Sequence, residues 1–240
     1  MSQNNMNKAR VVYYGLFSAV LSFLETDKNY ENIKNTIDFL NENPLETHSE
    51  KALLEMKNFL EKESFKGLQA ESNLVFFSPS TTYIPVSASF YDEARDDGKK
   101  KIEMLSYISE SIFRRDESVY KEAEDNIGFI LTFIHKLLEN SLDNNEKSEN
   151  SEELAKKVFT NILNETIDPF LTNLYNHENA DFYKNLALLL KIFMEFERHY
   201  YSLTTPVEKE IKETIRPNTK VKKKDAVKRA KRNLSEVTSL

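Results

Sequence analysis

The sequence predicts an all-α protein: a single helical domain of about eight helices, followed by a basic tail. Apolar residues recur every three or four positions over most of the chain, which is the period of a packed helix. Only 4 Gly and 6 Pro occur among the 240 residues, too few for a hairpin-rich β fold. No apolar run approaches the roughly 18 residues that a membrane span needs. We therefore place the helical domain at residues 1–205 and the tail at residues 206–240.

Four helices are predicted before residue 100, at residues 6–25, 30–40, 49–69 and 87–95. Gly15 lies inside the apolar stripe of the first helix and indicates a close approach to a neighbouring helix. The fourth is a short helix capped by Ser87. Between the third and fourth helices, the apolar run 74–77 leads into a Ser/Pro/Thr segment that ends at Pro85. We interpret this stretch as an irregular connector.

Four more helices are predicted after residue 100, at residues 100–113, 124–141, 154–175 and 180–203. The inward face of the first is expected to carry Ile102, Leu105, Ile108 and Ile112. Glu124 and Asp125 fall in the first turn of the next helix, where the helix dipole favours anions. Pro169 is expected to bend the third because it lacks an amide donor. Residues 143–153, rich in Asn, Ser and Glu, are interpreted as an exposed loop.

Charge divides the chain into two parts. The sequence has 33 basic and 39 acidic side chains, of which nine basic and two acidic ones lie in residues 216–240. That tail carries +7, and the body, with 24 basic and 37 acidic side chains, carries −13. The body should attract cationic peptides and repel nucleic acid. An alternative function follows from the tail: a helical adaptor that binds nucleic acid or an acidic surface.

Several kinds of chemistry have no sequence support. The absence of Cys excludes disulfides, zinc–thiolate sites and thiol catalysis. The sequence has no glycine-rich phosphate loop, and its four His are scattered. Glu195 and Glu197 lie near His199, and we interpret them as a solvated face of the last helix rather than as metal ligands. We expect no enzymatic activity, no bound metal and no cofactor. We also expect a cytoplasmic location, because the N-terminus is polar.

Two segments about thirty residues apart are candidates for a peptide-binding groove. After Pro85, Ser and Tyr hydroxyls beside an aromatic ring offer apolar area with polar handles. The second segment has three carboxylates within four positions, which could receive a cation from a ligand. For the first segment, the alternative is a hinge whose Tyr fills the core. For the second, the alternative is ordinary helix capping. The pair Arg114-Arg115 is interpreted as surface charge. The candidate site residues are Ser87, Ser89, Phe90, Tyr91, Glu122, Glu124, Asp125, Asn126 and Ile127.

Over residues 6–203 the chain resembles the TorD/DmsD/NarJ family of redox-enzyme maturation chaperones. In the family's acidic motif, usually Glu-Pro-x-Asp-His, Glu122 and Asp125 match, whereas Ala123 and Asn126 replace Pro and His. The other features that carry the resemblance are Tyr13-Tyr14-Gly15-Leu16-Phe17, Pro85 with Ser89-Phe90-Tyr91, Ile127-Gly128-Phe129, and Phe182-Tyr183 with Leu189.

The resemblance implies an all-helical chaperone with no catalysis of its own. Its partners would be the twin-arginine signal peptide and the apo-protein of a molybdopterin oxidoreductase, of the formate dehydrogenase or dimethyl sulfoxide/trimethylamine N-oxide reductase class. The chaperone would hold that enzyme in the cytoplasm until its cofactor is inserted, before export. We expect a monomer that could exchange elements through the hinge at residues 78–85 to give a domain-swapped dimer.

Overall fold

A computed structural model describes residues 3–22, 26–118, 120–142 and 146–207. The helices in these ranges are α1 (Gln3–Ser22), α2 (Asp27–Glu42), α3 (Thr47–Ser72), α4 (Ala88–Glu93), α5 (Lys99–Glu110), α6 (Ile127–Ser141), α7 (Glu146–Val158), α8 (Asn164–Asn176) and α9 (Phe182–Tyr200). A π-helical turn, Asn73–Phe77, extends α3, and a second, Phe159–Leu163, joins α7 to α8. The described residues contain no β-strand, so the predicted all-α class is confirmed.

The core is built around α1, which packs against α6, with α9 lying against α3 and α8. In the apolar stripe of α1, Leu16 and Val20 are buried and Val12 and Ala19 are half-buried. Aromatic rings of the same helix meet Phe193 of α9. The Tyr13 and Phe193 rings stack with centroids 5.1 Å apart, and Tyr14 meets the same ring edge-on at 5.0 Å. Such aromatic contacts add to the area-dependent burial that stabilises the core.

Two glycines let α1 and α6 approach closely. A Cβ at Gly15 would lie 3.1 Å from the His135 ring of α6, which confirms the predicted close contact. A Cβ at Gly128 would lie 3.0 Å from the carbonyl oxygen of Leu21 and 2.4 Å from Ser22 Oγ. Because backbone cannot move aside cheaply, the C-terminal end of α1 rests directly on the start of α6.

A buried ion pair joins α1 to α9. Arg10 donates to both carboxylate oxygens of Glu197, at 2.6 and 2.9 Å, and both side chains are 0% exposed. Burial lowers the pKa of the Arg10 guanidinium, but its hydrogen bond to Glu197 and that carboxylate's charge raise it well above the usual value. Tyr14 also donates to Glu197, at 2.9 Å. The prediction that Glu197 lies on a solvated face is therefore wrong, because charge pairing allows it to be buried.

Two segments predicted as irregular are helical. Residues 146–153 belong to α7, whose Leu154 and Val158 are buried against its neighbours. Tertiary packing here outweighs the weak helix propensity of Asn and Ser. Residues 74–77 continue α3 as a π-helical turn with Val75 buried. A π turn breaks the 3.6-residue period, so the sequence pattern does not reveal it.

Helix α5 packs through a different face from the predicted one. The structure buries Lys100, Met104 and Ile108, whereas Ile102, Leu105 and Ile112 are exposed. Lys100 Nζ reaches Glu165 Oε2 at 2.6 Å and the carbonyl oxygen of Asn161 at 2.5 Å. A lysine whose charge is paired can face the interior, and here it rotates the buried stripe of α5 away from the isoleucines.

The connector after α3 is tied at several points. His177 Nδ1 accepts from the Asn179 amide at 3.2 Å, so Nε2 carries the proton and donates to the carbonyl of Thr82 at 2.9 Å. Tyr91 donates to the carbonyl of Pro85 at 2.7 Å. These bonds fix the predicted hinge at residues 78–85 against α4 and the α8–α9 turn.

Three predicted features fall outside the described residues. They are the end of the first helix at residues 23–25, the start of the loop at residues 143–145, and the basic tail from residue 208 onward. The division at residue 205 stays a prediction. Within the described ranges, no helix combines the length and the apolar character needed to cross a bilayer.

Candidate functional site

The two candidate segments lie side by side. An isolated antiparallel bridge pairs Ser87 with Asn126. The Ala88 amide donates to the carbonyl of Asp125, and the Ile127 amide donates to the carbonyl of Val86, both at 2.8 Å. The starts of α4 and α6 are thereby joined, although they are distant in sequence.

Asp125 is fully buried and holds α4 in place. Its Oδ2 accepts from Ser87 Oγ at 2.8 Å and from the Ser89 amide at 3.2 Å, so the carboxylate caps α4 from the neighbouring segment. Its Oδ1 is buried without a hydrogen-bond partner among the described residues. Asp125 therefore stabilises the start of α4 independently of any ligand.

Helix α6 begins later than the sequence predicts. Its N-cap is Asn126, whose Oδ1 accepts from the amides of Gly128 at 2.8 Å and Phe129 at 3.3 Å. Glu124 and Asp125 precede the helix, so their predicted position in its first turn is wrong. Asn is among the best N-cap residues, and Asp125 is already engaged with α4.

The predicted site residues of α4, Ser89, Phe90 and Tyr91, line neither of the two cavities described below. Tyr91 is buried, with its ring edge-on to Phe170 at 6.2 Å, and burial raises the pKa of its hydroxyl. Ser89 is fully buried, and its Oγ accepts from the Lys101 amide at 3.3 Å. Phe90 is half-buried beside Tyr91. Ser87, directly before α4, does line one of them.

An apolar groove of about 830 Å³ lies between the end of α1, the π-helical end of α3, the connector and the start of α6. Phe77 and Tyr83 on its rim are 72% and 65% exposed, and Ile127 lies in its wall. The principal apolar side chains of this apolar groove are Val20, Phe76, Phe77, Tyr83, Ile127 and Phe129. A cavity of this size is at the upper end of the range for ligand sites.

A second cavity of about 210 Å³, here named the acidic annex, adjoins the apolar groove. The residues that line both cavities are Tyr83, Val86, Glu122 and Asn126. Asp96, Asp97 and Asp125 complete the acidic lining. Among the described residues, no ion pair involves the carboxylate of Glu122 or Asp96. The two cavities therefore form a continuous surface, apolar at one end and anionic at the other.

Two cations of the chain lie beside the acidic annex. Arg115 Nη1 lies 2.7 Å from Glu124 Oε1 and donates to the carbonyl of Glu122 at 2.9 Å. Lys101 Nζ pairs with Asp97 and lies 4.0 Å from Glu124 Oε2. Arg115 was interpreted as surface charge, and the structure instead gives it a specific carboxylate partner. Across the described ranges, no cluster of His, Cys, Asp and Glu could hold a metal ion.

Sequence reasoning missed part of this surface. Phe76, Phe77 and Tyr83 were interpreted as parts of a connector, Asp97 with Gly98 as a helix break, and Asp96 was given no role. A sequence does not distinguish an exposed aromatic from a buried one, because both satisfy the same pattern. Composition was the available signal, because two adjacent Phe residues stand directly before a Ser/Pro segment that is not helical.

Comparison with known proteins supports the helical fold and the resemblance in sequence. The family model described as the nitrate reductase delta subunit matches residues 42–176. No curated protein matches the chain. A solved structure from Archaeoglobus fulgidus, of a protein proposed to act in redox enzyme maturation, superposes with a TM-score of 0.51 at 18% identity, over 78% of this chain and 93% of that one. At that identity, the likeness is one of fold.

The matched residues run from the end of α2 to the end of α8 and include the connector, the acidic annex and the start of α6. They make up more than half of the chain. The chain therefore belongs to the nitrate reductase delta subunit family and is a redox-enzyme maturation chaperone.

Proposed function

We propose that this chaperone binds the twin-arginine signal peptide and the apo-form of a molybdopterin oxidoreductase, and holds that enzyme in the cytoplasm for cofactor insertion before export. The observation that carries the proposal is the direct connection between the apolar groove and the acidic annex. A twin-arginine signal presents two cations followed by an apolar stretch. The two cavities offer the complementary pair of surfaces in one continuous site.

Electrostatics supports the same ligand. The body of the chain carries −13, which favours encounter with a cationic peptide and raises its association rate. Guanidinium groups bind carboxylates through paired hydrogen bonds. In the acidic annex, Glu122 and Asp96 are exposed and have no ion-pair partner among the described residues, so both are open to an incoming arginine.

The candidate residues divide into two roles in this proposal. Ser87, Glu122, Asp125, Asn126 and Ile127 line one cavity or both and contact the peptide, and Glu124 lies beside them, paired with Arg115. The remaining candidates, Ser89, Phe90 and Tyr91, line neither cavity and act by fixing α4 beside the site. The exposed rim residues Phe77 and Tyr83 join the first group, because exposed aromatic rings beside a cavity are effective anchors for apolar side chains.

Calorimetric titration of the full chain with signal peptides tests the proposal. Peptides from the formate dehydrogenase and dimethyl sulfoxide/trimethylamine N-oxide reductase classes form the panel, and the family description adds nitrate reductase. We expect a Kd on the order of micromolar, about −8 kcal/mol, because a chaperone must also release its client. A peptide with Lys-Lys in place of Arg-Arg should bind more weakly.

Two variants locate the site. Phe77→Ser should weaken binding, whereas Phe39→Ser, on an exposed position of α2 away from both cavities, should not. Glu122→Gln should weaken the Arg-Arg peptide more than an Ala-Ala analogue. Absence of binding to every peptide, with binding to nucleic acid that is lost on truncation after Leu203, would replace the proposal with the tail-dependent alternative.

A further inference from the structure

Arg115 lies beside the acidic annex, paired with Glu124, whose sequence neighbours Ala123 and Asp125 line that cavity. Its guanidinium lies 2.7 Å from Glu124 Oε1 and also donates to the Glu122 carbonyl at 2.9 Å. The Arg115 side chain is 20% exposed and that of Glu124 is 14% exposed. Glu124 was selected from the sequence as one of the carboxylates that receive a ligand cation, yet in the unliganded chain it already has one.

The second oxygen of Glu124 also faces a cation. Lys101 Nζ lies 4.0 Å from Glu124 Oε2, but its shorter contact is with Asp97, which lines the acidic annex. Arg115 therefore supplies the close partner of Glu124, and Lys101 supplies a weaker, longer-range attraction. A cation from outside that contacts Glu124 Oε1 must therefore displace Arg115.

We infer that Arg115 is a resident competitor for Glu124 and sets the affinity of the site for cationic peptides. This inference rests on the proposed function and adds a residue that weakens the binding it describes. When an arginine of the peptide enters, one guanidinium–carboxylate contact is exchanged for another. The exchange yields little net energy, so the affinity of the site is lower than its anionic charge alone would produce.

The competitor has a physical rationale in a chaperone. Glu124 is only partly hydrated, so an empty site in which it had no cation would be somewhat less stable. Arg115 satisfies Glu124 while the site is empty and can return to it when the client leaves. Release of the client is thereby assisted by a group of the chaperone itself.

The test is a titration of wild-type and variant full-length protein with three probes: an Arg-Arg signal peptide, its Ala-Ala analogue, and the capped dipeptide N-acetyl-Arg-Arg-amide. We expect Arg115→Gln to bind both arginine probes about tenfold more tightly, which corresponds to about 1.4 kcal/mol. The Ala-Ala analogue should gain nothing. Arg115→Lys, which keeps a resident cation, should resemble wild type, and the gain should vanish in the double variant Arg115→Gln with Glu124→Gln.

Equal or weaker binding of the arginine probes to Arg115→Gln would overturn the inference, and so would an equal gain for the Ala-Ala analogue. The dipeptide separates this failure from failure of the proposed function, since it probes the acidic annex without using the apolar groove. If the signal peptide fails to bind but the dipeptide gains in the variant, the inference stands and the proposed client is wrong.

A measurement on wild-type protein avoids dependence on variant folding. The Nε–H resonance of Arg115, identified by its loss in Arg115→Lys, should shift on addition of the arginine probes as the guanidinium leaves Glu124. An unchanged resonance at saturating dipeptide would show that the ligand arginine binds elsewhere, which contradicts the inference.

Discussion

Two arginine–glutamate pairs divide the molecule into a rigid end and an exchangeable end. At the crossing of α1 and α9, Arg10 and Glu197 are both 0% exposed and joined by two hydrogen bonds. Rings of Tyr200 and Tyr201 lie 4.2 and 4.9 Å from the Arg10 guanidinium carbon. At the acidic annex, Arg115 and Glu124 share one contact and remain partly open to water.

The difference shows that the same two residue types serve opposite purposes according to burial. Removing one partner of a fully buried pair leaves an uncompensated charge in the interior, so the first pair cannot exchange without unfolding. A partly hydrated pair loses much less on separation, because water and an incoming ligand can solvate each partner. We expect the first pair to determine stability and the second to determine binding.

The largest expected effect is on the rigid end. Arg10→Ala leaves Glu197 buried without its cation and should lower the free energy of unfolding by about 3–5 kcal/mol. Urea denaturation followed by circular dichroism measures this loss. Arg115→Ala is the matched control and should cost about 1 kcal/mol or less. Similar losses in the free energy of unfolding of the two variants would contradict the distinction between the rigid end and the exchangeable end.

A smaller loss is expected where the two candidate segments meet. Asp125→Ala removes the cap of α4 and leaves Ser87 and the Ser89 amide without their acceptor, which should cost about 1–2 kcal/mol. Faster hydrogen exchange at the Ser89 amide would locate the loss. Glu122→Ala, an exposed neighbour, should stay within about 0.5 kcal/mol of wild type. Unchanged stability of Asp125→Ala would show that α4 does not depend on this carboxylate.

The response to salt should distinguish the rigid end from the exchangeable end without any mutation at the acidic annex. Raising the salt concentration shortens the screening length from about 10 Å at 0.1 M to about 3 Å at 1 M. Peptide affinity at the acidic annex should fall steadily over this range. The stability difference between wild type and Arg10→Ala should change little, because that pair is shielded from solvent ions. A salt-independent peptide Kd would argue that the anionic groups contribute nothing to recognition.

The smallest expected effect is a pH dependence at the α1–α6 contact. Burial lowers the pKa of His135, whose Nδ1 lies 3.0 Å from the Val11 carbonyl. Since the folded protein favours the neutral ring, this contribution to stability is complete above the unfolded pKa of about 6.5 and is lost as the pH falls below it. Thermal melts between pH 7.5 and 5 should show a shallower decline in His135→Gln than in wild type. Identical slopes would exclude this histidine as the cause.

The sequence predicted the fold class because helical periodicity is strong where packing is simple. The stripe of α6 agrees with the buried residues, that of α9 agrees in large part and that of α1 in part, and Gly15 marked a real close approach. The failures occur where a charge is buried. Glu197 was interpreted as solvated and Lys100 was not among the residues predicted to face inward, yet pairing allows both to face the interior. Periodicity treats every charged residue as exposed, so it misplaces the face of α5.

The candidate site could be predicted only as two segments. Their types and spacing suggested a groove, and the bridge between Ser87 and Asn126 joins them. The roles of individual residues could not be predicted, since they depend on which atoms face inward. Asp125 was grouped with Glu122 by charge, yet one is fully buried and the other exposed. The rim residues Phe77 and Tyr83 carried no periodic signal at all.

The bridge between Ser87 and Asn126 joins segments 39 positions apart, and the remaining groove wall comes from both ends of the chain. No short stretch contains the site, so an unfolded chain has nothing with which to recognise a peptide. A ligand that binds only the native state raises the melting temperature, with about 2.7 kcal/mol gained at a free concentration of 100 times Kd. A melting-curve screen of synthetic N-terminal peptides, run on the intact protein, can thus identify the client by its heat protection.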